Sequence, residues 1–164
     1  AAFLHLFNHA LIKTALFMAV GSMMYRTGSA KLDDIRGLGR QMPWTFTAFA
    51  LAGLSIIGVP TTVGFISKWY LVLASIESGA WWLVILLVVT SLMALYYIWR
   101  VIEAAWFSPR PDGAKTVTEA PLALLVPTWI VVALNFYFGL DTRLTVGAAT
   151  AAAQALLNPG VAMP

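Results

Sequence analysis

The stretch LSIIGVPTTVGFISKWYLVL, residues 54–73, joins two apolar segments through a motif that disfavours a continuous helix. The apolar region around it extends from residue 44 to 77, and as one helix it would be about 50 Å long. The hydrocarbon core of a membrane is only about 30 Å thick. A proline at that depth is tolerated where other groups bond the carbonyls that it frees, usually inside a bundle. We therefore predict two short helices, and the residues that interrupt them are Gly58, Pro60 and Gly64.

Composition places the chain outside the class of soluble domains. Of its 164 residues, 60% are hydrophobic and 10% are charged, whereas soluble domains have about a quarter charged residues. The seven Trp suit a protein with two membrane interfaces. The bases are spread over loops, so no nucleic acid is expected as a partner. The chain has no cysteine, which excludes disulfides, thiolate chemistry and Cys-ligated metals, and nothing in it indicates a bound cofactor.

Apolar segments of about 20 residues predict an all-α fold, a polytopic transmembrane bundle of about five hydrophobic helices. The predicted helices are 3–25, 44–59, 61–77 (hinged to the preceding one at Pro60), 81–107 and 120–139. Residues 141–164 are an Ala-rich tail whose hydrophobicity is weak for a further span. The first apolar run begins at residue 1 without a basic region before it, so we expect no signal peptide and a chain that is part of a longer protein.

The membrane orientation stays open at this stage. The loops 26–43 and 108–119 both contain basic residues, and the turn 77–80 contains none. Basic loops usually face the cytoplasm. Both loops can do so only if residues 44–77 cross the membrane once rather than twice.

Three proton-binding side chains follow one another in HLFNHALIKTALF, residues 5–17, namely His5, His9 and Lys13. Residues four apart lie on one face of a helix, so the three form a polar stripe that should face the interior of a bundle. A charged lysine at the centre of a membrane helix costs about 2.5–3.5 kcal/mol on insertion scales. Because Lys13 is far from both helix ends, its stem is too short to lift the amine to the interface, which favours a functional role over snorkelling.

We interpret the stripe as a proton relay rather than a metal site. Histidine changes charge near neutral pH, and groups about 6 Å apart along a helix can exchange protons through one water. Zinc fits less well, because a cationic lysine is the next neighbour and no carboxylate lies nearby to complete a site. His9 lies inside the helix, whereas His5 lies near its start and is equally consistent with an interfacial residue.

Lys68 is a second charged residue in an apolar segment, and it follows the break by two helical turns. An amine beside a helix interruption can meet the freed carbonyls and water. The alternative is an anchor at the interface beside Trp69 and Tyr70, but apolar residues continue to Ile76, so we favour the buried interpretation. Hydroxyls in membrane helices mostly bond to their own backbone. Those that could also hold water along the route are Thr61, Thr62, Ser67, Thr90 and Ser91.

Counter-charges for the two lysines are missing from the membrane segments. Glu77 and Glu103 lie near helix ends, and Glu103 is expected to pair at the surface with Arg100, three residues before it. The chain therefore contains the basic part of a charge network. We expect the acidic partners to come from a missing part of the protein or from another subunit.

The stretches HLFNHALIKTALFMAVGSMMY, DIRGLGRQMPWT and LSIIGVPTTVGFISKWYLVL together resemble the antiporter-like membrane subunits. This family is shared by Mrp-type multi-subunit cation/proton antiporters and by the proton-pumping subunits of respiratory NADH–quinone oxidoreductase. The resemblance covers about residues 3–107. Trp69 and the YLVL near it are more similar to the Mrp-type D subunit.

The resemblance implies a membrane bundle of two inverted five-helix repeats, each with an ionisable residue at a broken helix. Lys68 would be the broken-helix lysine of the second repeat, and Lys13 the central lysine between two half-channels, with His9 and His5 beside it. Residues 1–140 would be the C-terminal half of the module. The implied partners are the N-terminal half, other membrane subunits, the lipid bilayer, H⁺ and Na⁺. The implied location is the bacterial inner membrane, as a multi-pass protein.

Three functions are consistent with the sequence. The first is a proton-translocating subunit of a Na⁺/H⁺ antiporter, and the second is a pumping subunit of a redox-driven complex; in neither is the chain an enzyme by itself. The third is a structural membrane module, which would use Ser, Thr or Asn between helices rather than central lysines. The relay residues favour the first two, and the resemblance around Trp69 favours the antiporter.

Overall fold

The computed structural model describes residues 1–111 and 113–157, and these residues form helices and loops without any strand. The helices are α1 (Ala2–Thr27), α2 (Pro43–Ile57), α3 (Val63–Glu77), α4 (Trp82–Ile102), α5 (Leu122–Leu140) and α6 (Arg143–Leu157). Three segments are long and apolar enough to cross a membrane, namely Ala2–Thr27, Trp82–Phe107 and Leu122–Leu140. α2 is a shorter apolar helix. The predicted all-α membrane bundle is confirmed.

The interruption between α2 and α3 is present and is wider than a hinge at Pro60. α2 begins at Pro43, which suits the first position of a helix because proline lacks the N–H that would be unbonded there. Residues 58–62 are not helical. Within this segment Thr61 has a φ of 82°, a left-handed conformation that is unusual for a β-branched residue.

α2 and α3 together make one broken crossing of the bundle. Asn8 of α1 bonds to Val63, and His5, one turn earlier, contacts Ser67, so α1 and α3 are antiparallel. The loop after α1 contacts the turn that follows the C-terminus of α4, where the N–H of Gly37 donates to the Ala104 carbonyl at 2.9 Å. Both basic loops therefore lie at the same end of the bundle. This is the arrangement expected if residues 44–77 cross once rather than twice.

Glu119 links α1 and α2 at this basic end of the bundle. Its carboxylate accepts hydrogen bonds from the backbone N–H of Trp44, at 2.8 Å, and from the hydroxyl of Thr45, both in the first turn of α2. A carboxylate at a helix N-terminus is favourable because the first N–H groups have no partner within the helix. Arg26, near the end of α1, donates to the Glu119 carbonyl at 2.9 Å. One loop residue thus joins the ends of two helices.

The surface pair expected between Glu103 and Arg100 does not form. Arg100 donates instead to the hydroxyl of Tyr96 at 3.2 Å, which lies one turn earlier on the same face. From Glu103 to Phe107 the end of α4 widens into a π-helical turn, which departs from the α-helical spacing on which the expectation depends.

The sequence predicts only an Ala-rich tail after residue 140, whereas the described part of that tail forms α6. Alanine has the highest helix propensity, and the carboxylate of Asp141 accepts from the backbone N–H of Arg143, the first residue of α6, at 3.2 Å. Hydrogen bonds from the Arg143 side chain lower the pKa of Asp141 to about 2. Residues 158–164 of the predicted tail lie outside the described residues.

Candidate functional site

The site is centred on the end of α2, where Gly58 stops the helix. Gly58 has a φ of 95°, which favours glycine. Its N–H donates to the carbonyls of Leu54 and Ser55 at 3.1 Å, and the N–H of Val59 also donates to Leu54 at 3.1 Å. The last four carbonyls of a helix have no partner within it. This turn gives hydrogen-bond donors to two of these four carbonyls, and the carbonyls of Ile56 and Ile57 still need donors.

Lys68 satisfies the other two carbonyls. Its Nζ donates to the carbonyl oxygens of Ile56 at 2.8 Å and Ile57 at 2.9 Å, and to Oγ of Ser91 on α4 at 2.7 Å. An ammonium has three N–H donors, and all three have acceptors here. The C-terminus of α2 also presents the negative end of a helix dipole to this positive charge. The amine thus lies inside the break, while the neighbouring Trp69 is 52% exposed and suits the interface.

Ser91 can act toward Lys68 only as an acceptor. Its hydroxyl donates to the carbonyl of Leu87, in its own helix, at 2.8 Å. A serine has one hydroxyl hydrogen, so the lone pairs remain for the amine. Beside it lies an open, mostly apolar cavity of about 270 Å³ between α3 and α4. Its lining includes Gly58, Lys68, Val72, Ser91 and Leu95.

Two glycines allow the backbones to approach at the break. A Cβ on Gly64, in the first turn of α3, would lie 1.7 Å from the carbonyl oxygen of Ser55 in α2. A Cβ on Gly139 of α5 would lie 2.3 Å from the carbonyl oxygen of Thr61. Both distances are far below a van der Waals contact, so any side chain at either position would push the segments apart. Pro60 lies in the non-helical segment between α2 and α3.

The histidine stripe of α1 reaches the break through His5. Nδ1 of His5 lies 3.1 Å from Oγ of Ser67, the residue before Lys68. The ring centroids of His5 and His9 are 5.6 Å apart, a separation that one water can bridge. The geometry therefore brings Ser67, His5 and His9 together, and it gives His5 a contact with α3 inside the bundle.

Lys13 has different surroundings from Lys68. Both side chains are half-buried, but Nζ of Lys13 lies 5.8 Å from the ring centroid of Phe17. Phe17 is itself 68% exposed, so this face of α1 is open. Among the residues that the structure describes, Arg143 and Asp141 are the sole ion pair within 4 Å. Lys13 therefore has no acidic partner in this part of the chain, and neither has Lys68.

Buried amide side chains are part of the site, and the sequence analysis did not identify them. Asn8 of α1 donates to the carbonyl of Val63, the first residue of α3, at 3.0 Å. Asn135 of α5 accepts a hydrogen bond from the Ser55 hydroxyl of α2 at 3.1 Å. Asn8 and Asn135 are 1% and 0% exposed. Polar residues in membrane helices commonly bond across helix pairs, so an asparagine within an apolar run is the signal that could have found them.

The donor set does not indicate a metal centre. In residues 1–111 and 113–157, no three His, Cys, Asp or Glu side chains are grouped so that they could hold an ion. Instead, one amine meets two carbonyls and a hydroxyl at the break, and two imidazoles lie near a second hydroxyl. Such groups can pass protons and hold water, and a broken helix at membrane depth is where membrane transporters bind their ions.

Fold and site together define a multi-pass membrane protein with a lysine at the break between two short helices. The sequence profile of the family described as "NADH:quinone oxidoreductase/Mrp antiporter, TM" matches residues 1–94, and the chain belongs to that family. The predicted resemblance is thereby confirmed.

Curated relatives come from both branches of the family. The N subunit of NADH-quinone oxidoreductase from Desulforudis audaxviator is 42% identical over 142 residues, covering 79% of this chain and 28% of the relative. The D subunit of the Na(+)/H(+) antiporter from Bacillus subtilis is 30% identical over 158 residues, covering 96% of this chain and 32% of the relative. The chain thus spans about a third or less of the length of these relatives.

Solved structures share the fold. A chain of the Mrp complex from Dietzia sp. superposes with a TM-score of 0.87 at 22% identity, covering 96% of this chain and 37% of that one. A chain of an archaeal membrane-bound sulfane sulfur reductase gives a TM-score of 0.76 at 36% identity, covering 83% of this chain and 23% of that one.

Proposed function

We propose that this chain is the C-terminal half, residues 1–140 with the tail 141–164, of a proton-translocating subunit in a multi-subunit Na⁺/H⁺ antiporter. Protons move along Lys68, His5, His9 and Lys13. The antiporter assignment is supported by the match to the D subunit of the Bacillus subtilis antiporter, which extends over 96% of the chain. Location in a bacterial inner membrane is part of the proposal, since both curated relatives named above come from bacteria.

The observation that carries the proposal is the set of three acceptors around Lys68. A neutral amine has two hydrogens, so when Lys68 gives up its proton, one of Ile56, Ile57 and Ser91 loses its hydrogen bond. An unbonded carbonyl inside a membrane is costly. Proton loss at Lys68 is therefore coupled to a rearrangement of the break, which is what a transporter needs in order to link proton movement to a change in the helices.

The surroundings of Lys13 support a proton route that another part of the protein completes. Lys13 faces an open surface of α1 and has no acidic partner among the described residues. A charged amine facing lipid at that depth is unfavourable. We therefore assign to that surface the N-terminal half of the protein or a neighbouring subunit, with a carboxylate opposite Lys13.

The distribution of bases supports an orientation. Most basic loop residues lie at the end of the bundle where Glu119 links α1 and α2. The opposite end has Arg143, which forms an ion pair with Asp141. Basic loops are retained in the cytoplasm, so the basic end is the cytoplasmic one. The basic residues of its loops and adjacent helix end are Arg26, Lys31, Arg36, Arg40, Arg110 and Lys115.

The second candidate function is proton pumping in a redox-driven complex. It is favoured by the 42% identity to the N subunit of NADH-quinone oxidoreductase. The same residues would move protons in either case, and only the source of free energy differs.

Proteoliposomes of the assembled complex, loaded with a pH-sensitive dye, separate the two. The antiporter predicts that a Na⁺ jump changes the internal pH without any electron donor. The redox-driven pump predicts a change only when NADH and quinone are supplied. A complex that moves no protons under either condition would overturn proton translocation altogether.

A further inference from the structure

Ser67 contacts the histidine stripe from α3, one residue before Lys68, and it is fully buried, with 0% exposure. Its Oγ lies 3.1 Å from Nδ1 of His5 on α1 and 3.2 Å from the carbonyl oxygen of Gly64 in its own helix. A serine has one hydroxyl hydrogen. Ser67 can donate to one of these two atoms, and the choice fixes where the proton of the neutral His5 ring lies.

The two arrangements differ in the number of hydrogen bonds that they make. If Ser67 donates to Gly64, it accepts from Nδ1–H of His5, and both contacts are hydrogen bonds. If Ser67 donates to an unprotonated Nδ1, the carbonyl of Gly64 loses its side-chain donor. In a buried site the arrangement with more hydrogen bonds is favoured.

Ser91 shows the same arrangement at the other side of Lys68. Its hydroxyl donates to Leu87 in its own helix, and the oxygen then accepts from the amine of Lys68. The favoured arrangement of Ser67 is thus the one that Ser91 already has, with the hydroxyl hydrogen on a carbonyl of its own helix and the lone pairs facing a proton-carrying group.

We infer that Ser67 holds neutral His5 in the Nδ1–H tautomer, so that Nε2 is the atom of His5 that takes up and releases protons. Proton binding at Nε2 gives an imidazolium, and loss of the same proton restores the same tautomer. Ser67 is thus a positioning residue, which acts through His5. This inference rests on the proposed proton relay and extends it by assigning the reacting atom of one member.

The tautomer can be measured without any transport assay. Solid-state nitrogen NMR of the assembled complex with labelled histidine distinguishes a protonated from an unprotonated ring nitrogen, and a His5→Gln complex identifies the His5 signals by difference. At a pH where His5 is neutral, we expect a protonated Nδ1 and an unprotonated Nε2. A native complex with a protonated Nε2 and a bare Nδ1 would overturn the inference.

Substitution of Ser67 tests its role in the relay. Ser67→Ala should mix or reverse the two tautomers and slow proton movement by about fivefold, the effect of about one hydrogen bond. Ser67→Thr keeps the hydroxyl and should restore both readouts. The control is Ser75→Ala, since Ser75 is a buried serine of the same helix whose hydroxyl donates to Leu71 at 2.7 Å.

A Ser67→Ala complex with the native tautomer and the native rate contradicts the inference. If this variant does not assemble, the spectrum of the native complex and the Ser67→Thr variant still decide it. A native complex that shows the expected tautomer but moves no protons overturns the proposed function alone, so the two failures are distinguishable.

Discussion

The two intramembrane lysines differ in the partners that the described residues give them. Lys68 has a complete set of acceptors, since two carbonyls at the end of α2 and the hydroxyl of Ser91 take its three hydrogens. Lys13 lies on an open face, where its amine is 5.8 Å from the centroid of the exposed Phe17 ring. The described residues thus supply every acceptor of Lys68 and none for Lys13, and this contrast is the basis of our proposal that another part of the protein faces Lys13.

The largest effect is expected from a side chain that fills the space between α2 and α3 near Lys68. Gly64→Ala places a methyl group 1.7 Å from the Ser55 carbonyl oxygen, so α3 has to move away from α2 and the protein should fail to assemble. Native gel electrophoresis of the complex measures this. Gly147→Ala in α6 is the matched control, because a Cβ there meets nothing within 4 Å. Normal assembly of the Gly64→Ala complex would show that the packing at the break is looser than the distances indicate.

Lys13→Met tests the open side of the comparison. A residue that passes protons typically contributes a factor of about 100 or more to the rate, and we expect a loss of that size in proteoliposomes. No hydrogen bond to Lys13 is seen in the described part of the chain, so the thermal unfolding temperature should change less than in Lys68→Met. Lys68→Met leaves two carbonyls of α2 unbonded, each at a cost of about 1–3 kcal/mol. Equal unfolding temperatures for the two variants would contradict the distinction between a lysine with three acceptors and one with none among the described residues.

Ser91→Ala removes one of the three acceptors of Lys68 while both carbonyls remain. The loss of one charge-assisted hydrogen bond, about 1.5–3 kcal/mol, predicts a change in the proton-transfer rate of about tenfold or more. Thr90→Ala is the control on the neighbouring position, since the hydroxyl of Thr90 is exposed and donates to Leu87 at 3.0 Å. Equal rates in the two variants would remove Ser91 from the site.

The smallest effect is expected at Phe17. A cation–π contact at an exposed position contributes about 0.5–1 kcal/mol, so Phe17→Leu should change the transport rate by a factor of about five or less. A loss as large as that of Lys13→Met would mean that the ring, and not a partner outside this part of the chain, completes the surroundings of Lys13.

The fold and the break could be predicted because they follow from hydropathy, chain length and proline chemistry. The stretch around Pro60 forbids one continuous helix, and the structure places the ends of α2 and α3 on either side of it. α6 could not be predicted from hydropathy, since its helix depends on alanine propensity and on the Asp141 cap.

The site was only partly predictable for a physical reason. Spacing along one helix gives the His5, His9 and Lys13 stripe, and the cost of a buried charge singles out Lys68. The spacing of residues along one helix does not predict which residues of another helix they contact. Asn8 and Asn135 bond residues at least 55 positions away in the sequence, and Ser91 is identified as an acceptor of Lys68 only once α4 packs against α3.

The most direct test of the central claim is the pair Lys68→Ala and Lys68→Arg in the assembled complex. Arginine keeps the positive charge and the hydrogen-bond donors but does not release a proton in proteins. Both variants should assemble and should abolish ion-driven proton movement in dye-loaded proteoliposomes, whereas Lys115→Ala in the exposed basic loop should transport normally. Proton movement at the native rate in either Lys68 variant would contradict the account.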